Sequence, residues 1–257
     1  MIEGGKSDRM QGSRLGRPAT AFAAAALGLA LLLGPAEARG LPPAAPADQA
    51  VDDAVAFIDA LALTREKPNG IAEAGWVRRW RGPVAVTLEG VAVPGFSAVV
   101  ARSLARVSGW TGLAFRLADR AETGDRIVIR VRHHGVVAAS YGVSDAVCLT
   151  STYGEDGLLH RAIIDISERY LDCLDHELMH ALGFNNHWNG AGARRHVASV
   201  LAPRRSPDRR SAFSAWDILA IRTLYSADIA PGLGRDDALA RARAILLEQA
   251  VIPAAGE

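Results

Sequence analysis

The chain has 257 residues, 49% of them apolar and 22% charged, with a net charge of +1. That length holds one domain with a full core. The near-balanced charge excludes the electrostatic footprint of a nucleic-acid binder or of a protein that clings to an anionic membrane surface.

The first 38 residues read as a signal peptide. Arg9, Arg14 and Arg17 precede the apolar run ATAFAAAALGLALLLG, which ends at Ala36-Glu37-Ala38, a small-x-small cleavage pattern. The run is short and alanine-rich for a membrane span, so a secreted or periplasmic location is expected. Contact with a membrane is expected only if that segment stays uncleaved. Export changes the reading of Cys148 and Cys173, the only two cysteines. An even count in an oxidising compartment points to a disulfide, with a zinc-ligand role as the rival.

Residues 39–75 read as a linker, Pro- and Ala-rich over RGLPPAAPADQA, followed by a short amphipathic helix in DDAVAFIDALAL. Val55, Ile58, Leu61 and Ala62 face one side of that helix. A PNG turn at 68–70 closes the segment. The main domain is expected over 76–250. VAVTLEG alternates like a half-buried strand, and FSAVVARSLARVSGW has helical periodicity. LAFRLAD, RIVIRVR and the stretch around SDAVCLTSTY read as three further strands. RAIIDI, β-branched and continuous, suits an interior strand. Strand, helix, several strands and then helices describe an α/β or α+β layout around one mixed sheet.

A helix carrying HELMHALGFNNH (176–187) is expected after Ser167, a candidate N-cap. At 100° per residue, Leu171, Leu174, Leu178 and Leu182 fall on one side, with Cys173, His176 and His180 nearly opposite. The leucines face a core and the imidazoles face a cleft. Gly183 stands where a left-handed residue would end the helix and reverse the chain.

Histidines four residues apart stack one helical turn above the other and can reach one Zn²⁺ at about 2.0–2.1 Å. Three ligands leave a position for water, whose pKa zinc lowers towards roughly 7, and Glu177 is placed as the general base. From this chain's own His and Glu frequencies, one HExxH would arise by chance in about 1% of such sequences, an order-of-magnitude figure that favours a metal site. The third ligand is expected from the returning chain. His187 is the first candidate, His196 the reserve, and a carboxylate from elsewhere the remaining alternative.

His133, His134 and His160 read as residues at strand ends rather than as ligands. Tyr141 and Tyr153 read as packing or capping residues, and Asp175 as a solvated helix residue. Arg194, Arg195, Arg204, Arg205, Arg209 and Arg210 form a basic stretch without interleaved aromatics, which reads as a solvated loop.

The stretch 173–187 resembles the metzincin clan of zinc metallopeptidases, whose helix reads HExxHxxGxxH before a methionine-containing turn. His176, Glu177, His180 and Gly183 match position for position, while Asn186 stands at the third ligand's place and His187 is displaced by one. ASVLAP (198–203) is similar to that turn, with Leu201 where methionine is expected. FSAWDILAIRTLY (213–225) is similar to the helix that follows, with Ser214 and Asp217 as a capping-box-like pair. SADIAPGL (226–233) is similar to a stretch in an uncharacterised family of exported bacterial proteins related to the clan.

The resemblance spans roughly 76–226 and implies a zincin-like mixed five-stranded sheet, an active-site helix and C-terminal helices. Taken with the signal peptide, the expectation is an exported, monomeric zinc metallopeptidase acting on a peptide or protein. The substrate would add as an extended strand to an edge near DAVCLTSTY (145–153). The alternative is a zinc-containing or metal-free binding module of the same fold. Leu201 and the shifted histidine favour that alternative, and the intact Glu177 argues against it.

Overall fold

The computed structural model describes residues 47–66, 72–118, 124–142, 146–190, 196–203 and 206–249, all within one compact unit. The leader expected over 1–38, the PNG turn, and Arg194, Arg195, Arg204 and Arg205 lie outside the described residues.

Helix α1 (Ala47–Ile58) begins inside the stretch expected to be a linker. Pro46 is the last proline of that stretch, and Asp48 puts an acid in the first turn, where the helix dipole favours it. The helix runs through a π-turn (Asp59–Leu63) into β1 (Thr64–Glu66), which pairs antiparallel with β2 (Ala72–Ala74). Val51, Ala54, Phe57, Ile58, Leu61 and Leu63 are buried in the same core as the main sheet. The N-terminal helix is therefore part of the domain's packing.

The main sheet is built from β3 (Val84–Gly90), β4 (Phe115–Leu117), β5 (Arg126–Arg132), β6 (Cys148–Glu155) and β7 (Leu158–Ser167), in the order β4-β3-β5-β7-β6. Helix α2 (Phe96–Thr111) connects β3 to β4, and a short α3 (Val136–Tyr141), unexpected from the sequence, lies between two left-handed glycines. β3, β4, β5 and β7 run parallel, and β6 alone is antiparallel. This is a mixed five-stranded sheet in an α+β fold, as expected. RAIIDI sits in the interior strand β7, where Ala162, Ile164 and Ile166 are buried on one face and Ile163 and Asp165 on the other. Asp165 is neutralised on that second face by Arg130 and Arg132, and Tyr141 donates its hydroxyl to it at 2.6 Å. β6 is the edge strand.

Ser167 does not cap a helix. Its backbone N–H donates to Val147 O at 2.8 Å, so sheet pairing holds it in β7. The chain then makes a 3-10 turn (Leu171–Cys173) before α4 (Leu174–Ala181). Two further helices, α5 (Ala215–Leu224) and α6 (Arg235–Gln249), complete the domain. No described helix is long and apolar enough to cross a membrane.

A disulfide joins Cys148, at the start of β6, to Cys173, at the entry to α4, across 25 residues. It fastens the edge strand to the helix beside it. Closing a loop of that length stabilises the fold by about 3 kcal/mol in the chain-entropy model.

Candidate metal centre

Helix α4 buries Leu174, Leu178 and Leu182 against the core and turns His176 and His180 the other way. Its C-terminal end is closed by side chains from distant segments. Trp80 Nε1 donates to Ala181 O at 2.8 Å, and the Tyr225 hydroxyl donates to Leu182 O at 3.0 Å. Gly183 N donates to His180 O at 3.0 Å. Gly183 adopts φ 104°, and a Cβ there would collide with the carbonyl oxygen of Arg78. Only glycine fits where the chain both turns left-handed and presses on another backbone.

The returning loop explains the displaced third histidine. Asn186, at the position where the resemblance puts a ligand, points away from the cleft. Its backbone N–H donates to Leu61 O at 3.1 Å, and its side-chain amide donates to Ala60 O at 2.9 Å and to Thr64 O. Two residues on, Trp188 is buried, donates its backbone N–H to Leu201 O at 2.8 Å, and packs edge-on against Phe57. His187 lies between these two anchors and turns into the cleft. His187 Nε2 is 3.2 Å from His176 Nε2.

The three rings form a nearly equilateral set, with centroids 4.8, 5.1 and 5.0 Å apart. One nitrogen from each of His176, His180 and His187 lies within 4.8 Å of the others, so the group could hold a metal ion. Two Zn–N bonds of about 2.05 Å at a tetrahedral angle put their nitrogens about 3.3 Å apart, close to the His176–His187 separation. His196 stays outside the group: it is two-thirds exposed and pairs with Asp208 at 2.5 Å. The sulfurs of Cys148 and Cys173 also lie near Glu177, but they are spent on the disulfide.

The protonation states suit a metal. His176 Nδ1 lies 2.6 Å from Val200 O, and His180 Nδ1 lies 2.6 Å from Phe184 O. A carbonyl oxygen only accepts, so each Nδ1 carries the proton and each Nε2 presents a lone pair. Burial, followed by the charge of His180, pushes His176 down to about 3, against the pull of Val200 O. Burial and the charge of His187 push His180 down to about 4. In the metal-free chain both rings are neutral through the physiological range, so an incoming cation displaces no proton from either.

Behind His176 runs a relay of hydrogen bonds. Ser214 and Asp217 form a capping box at the start of α5, as their spacing predicts. Asp217 is fully buried and also accepts from Ser199 Oγ at 2.6 Å and from Val200 N at 3.0 Å. The helix cap thereby fixes the turn that offers Val200 O to His176. Leu201, in that turn, is fully buried in the hydrophobic core.

Glu177 is buried, with Oε1 3.8 Å from His176 Nε2. Thr150 Oγ1, on β6, lies 2.7 Å from Glu177 Oε2 and 3.0 Å from its backbone oxygen. Burial raises the Glu177 carboxyl to about 7, against the lowering effects of Thr150 and Arg209. A carboxyl near 7 is matched to taking and returning a proton at neutral pH, and a bound dication would draw it down again. Thr150 was not singled out in the sequence; its place on the expected edge strand was the only signal for it.

Three expectations are corrected. Asp175 is not solvated: it is buried, accepts from Ser103 Oγ at 2.8 Å and pairs with Arg106, tying α4 to α2. Arg209 is not part of a solvated loop either. Its Nη1 donates to Ala202 O at 3.2 Å, lies 3.3 Å from His176 Nδ1, and its side chain lines the cleft. The 3-10 turn before α4 replaces the first turn of the expected helix. His133 pairs with Glu168 and His160 with Asp125, and neither belongs to the group that could hold a metal.

If the group holds zinc, His187→Ala should raise the dissociation constant more than about a hundredfold, because one of its three candidate ligands is lost. His196→Ala should leave it within about threefold. Competition against a chromophoric chelator reads both, and the reverse order would move the third ligand to His196. Compared with known protein families and with curated proteins, the sequence finds no match.

Proposed function

We propose that the chain is an exported, monomeric, metzincin-like zinc metallopeptidase that hydrolyses peptide bonds. The observation that carries this reading is the convergence of three imidazole nitrogens within 4.8 Å of one another beside a buried carboxyl. His176, His180 and His187 would hold the zinc. Bound there, zinc supplies a Lewis acid and lowers the pKa of a water towards about 7.

The remaining work belongs to the chain's own side chains. Glu177 takes a proton from the attacking water on its carboxylate and hands it to the departing amine. Thr150 holds Oε2, which leaves Oε1 on the His176 side. Val200 O and Phe184 O keep both helical rings in the tautomer that exposes Nε2. The edge strand β6 borders the cleft and offers its main chain to an extended peptide. The disulfide between β6 and α4 holds the cleft's two walls in register and is compatible with an oxidising, extracytoplasmic compartment.

The test is metal analysis with cleavage of a mixed peptide library. The purified protein should carry zinc and cut the library, lose cleavage with a chelator, and regain it with added zinc. A protein that holds zinc and cuts nothing is a binding module of the same fold. A protein that takes up no metal sinks the reading altogether.

A further inference from the structure

We propose that Arg209 makes the cleft selective for a carboxylate, carried by the peptide residue next to the scissile bond. This rests on the peptide-cleaving reading of the same site. A cavity of about 480 Å³ opens beside the triad, between the start of β6 and the segment that follows the Leu201 turn. Ala146, Val147, Cys148 and Pro203 line it, and Arg209 supplies the one basic side chain other than histidine among its described lining residues.

The cavity is contiguous with the metal centre, since His176, Glu177 and His187 also line it. A side chain entering it is therefore attached to the residue being cut or to its neighbour. An extended peptide laid antiparallel on β6 runs its C-terminal half towards residues 146–148, so the residue after the scissile bond enters the cavity. The position of Arg209 is set by the Ala202 carbonyl, which takes an N–H from Nη1 at 3.2 Å. A planar guanidinium lining the cavity can take a carboxylate in a two-pronged pair. Arg209 and Pro203 line the same cavity, so a carboxylate entering it comes within reach of the guanidinium.

The carboxylate has two sources, an Asp or Glu side chain or a free C-terminus, and the probes separate them. Zinc-loaded Glu177→Gln protein binds labelled peptides without turnover, read by fluorescence anisotropy. One series is blocked at both ends and scans a single Glu or Gln through an otherwise neutral sequence. A second series is neutral throughout and ends in a carboxylate or an amide.

A Glu preference of about tenfold or more at one position is expected, as for hydrogen bonds to charged groups. Adding Arg209→Gln should collapse it to within about threefold, Arg209→Lys should keep part of it, and Arg209→Glu should favour a Lys peptide. If preference follows the free C-terminus instead, the ligand is the chain end and the site trims peptides. An equal preference in the Arg209→Gln protein, with zinc content unchanged, overturns the inference, as does the absence of any carboxylate preference. A wild type that cuts peptides without regard to charge sinks the inference and leaves hydrolysis standing. Selective binding in a wild type that never cuts does the opposite.

Discussion

Replacing Glu177 by glutamine should slow peptide cleavage by about 10²–10⁴-fold while leaving bound zinc in place. That range is what a positioned general base contributes to a proton-transfer step. Glutamine keeps the size of the side chain and can still accept from Thr150, which lies 2.7 Å from Oε2. What it loses is the capacity to take a proton. The helix and the imidazoles are untouched, since His176 and His180 are oriented by Val200 O and Phe184 O and not by Glu177. Single-turnover kinetics on a cleaved peptide, with metal measured on the same sample, decide the matter. Unchanged cleavage would show that the base lies elsewhere.

The second large effect concerns the fold. Gly183→Ala should destabilise the metal-free protein by about 3 kcal/mol or more, combining a left-handed backbone penalty with a backbone collision. At φ 104° an alanine is strained even in open space, and here its Cβ meets the carbonyl oxygen of Arg78. Gly112 is the natural control. It ends α2 at φ 71°, and a Cβ added there would meet nothing within 4 Å, so its alanine variant should cost only about 1 kcal/mol. Urea unfolding with unchanged slope compares the two. Equal losses would mean that the Arg78 contact contributes nothing. Because Phe184 O follows directly, the same variant should also weaken metal binding through His180.

What could be read in the sequence was local. The His-Glu-His spacing and the leucine stripe are properties of one helix, and the strands of the sheet follow from short apolar runs. The left-handed turn at Gly183 and the Ser214–Asp217 cap are local as well, although the Arg78 carbonyl that also demands glycine at 183 comes from far along the chain. The rest depends on partners far along the chain. His187 reaches the cleft because Asn186 is pulled towards Ala60 and Leu61, more than a hundred residues earlier. Asp175 is buried because Ser103 and Arg106 come to meet it from α2. Arg209, inside a run of basic residues, reads as solvated until the turn at 206–209 folds it back onto Ala202. Ser167 has the chemistry of a cap, but strand pairing claimed its backbone first.

The three hydrogen bonds from Asn186 to Ala60, Leu61 and Thr64 tie the loop that carries His187 to the π-turn after α1 and to the start of β1. Linkage is reciprocal: if a cation held by His187 favours this docking, the docking favours the cation by the same coupling free energy. A cation bound at the triad would thus be coupled to the packing of the π-turn and β1 against the loop, without any moving lid.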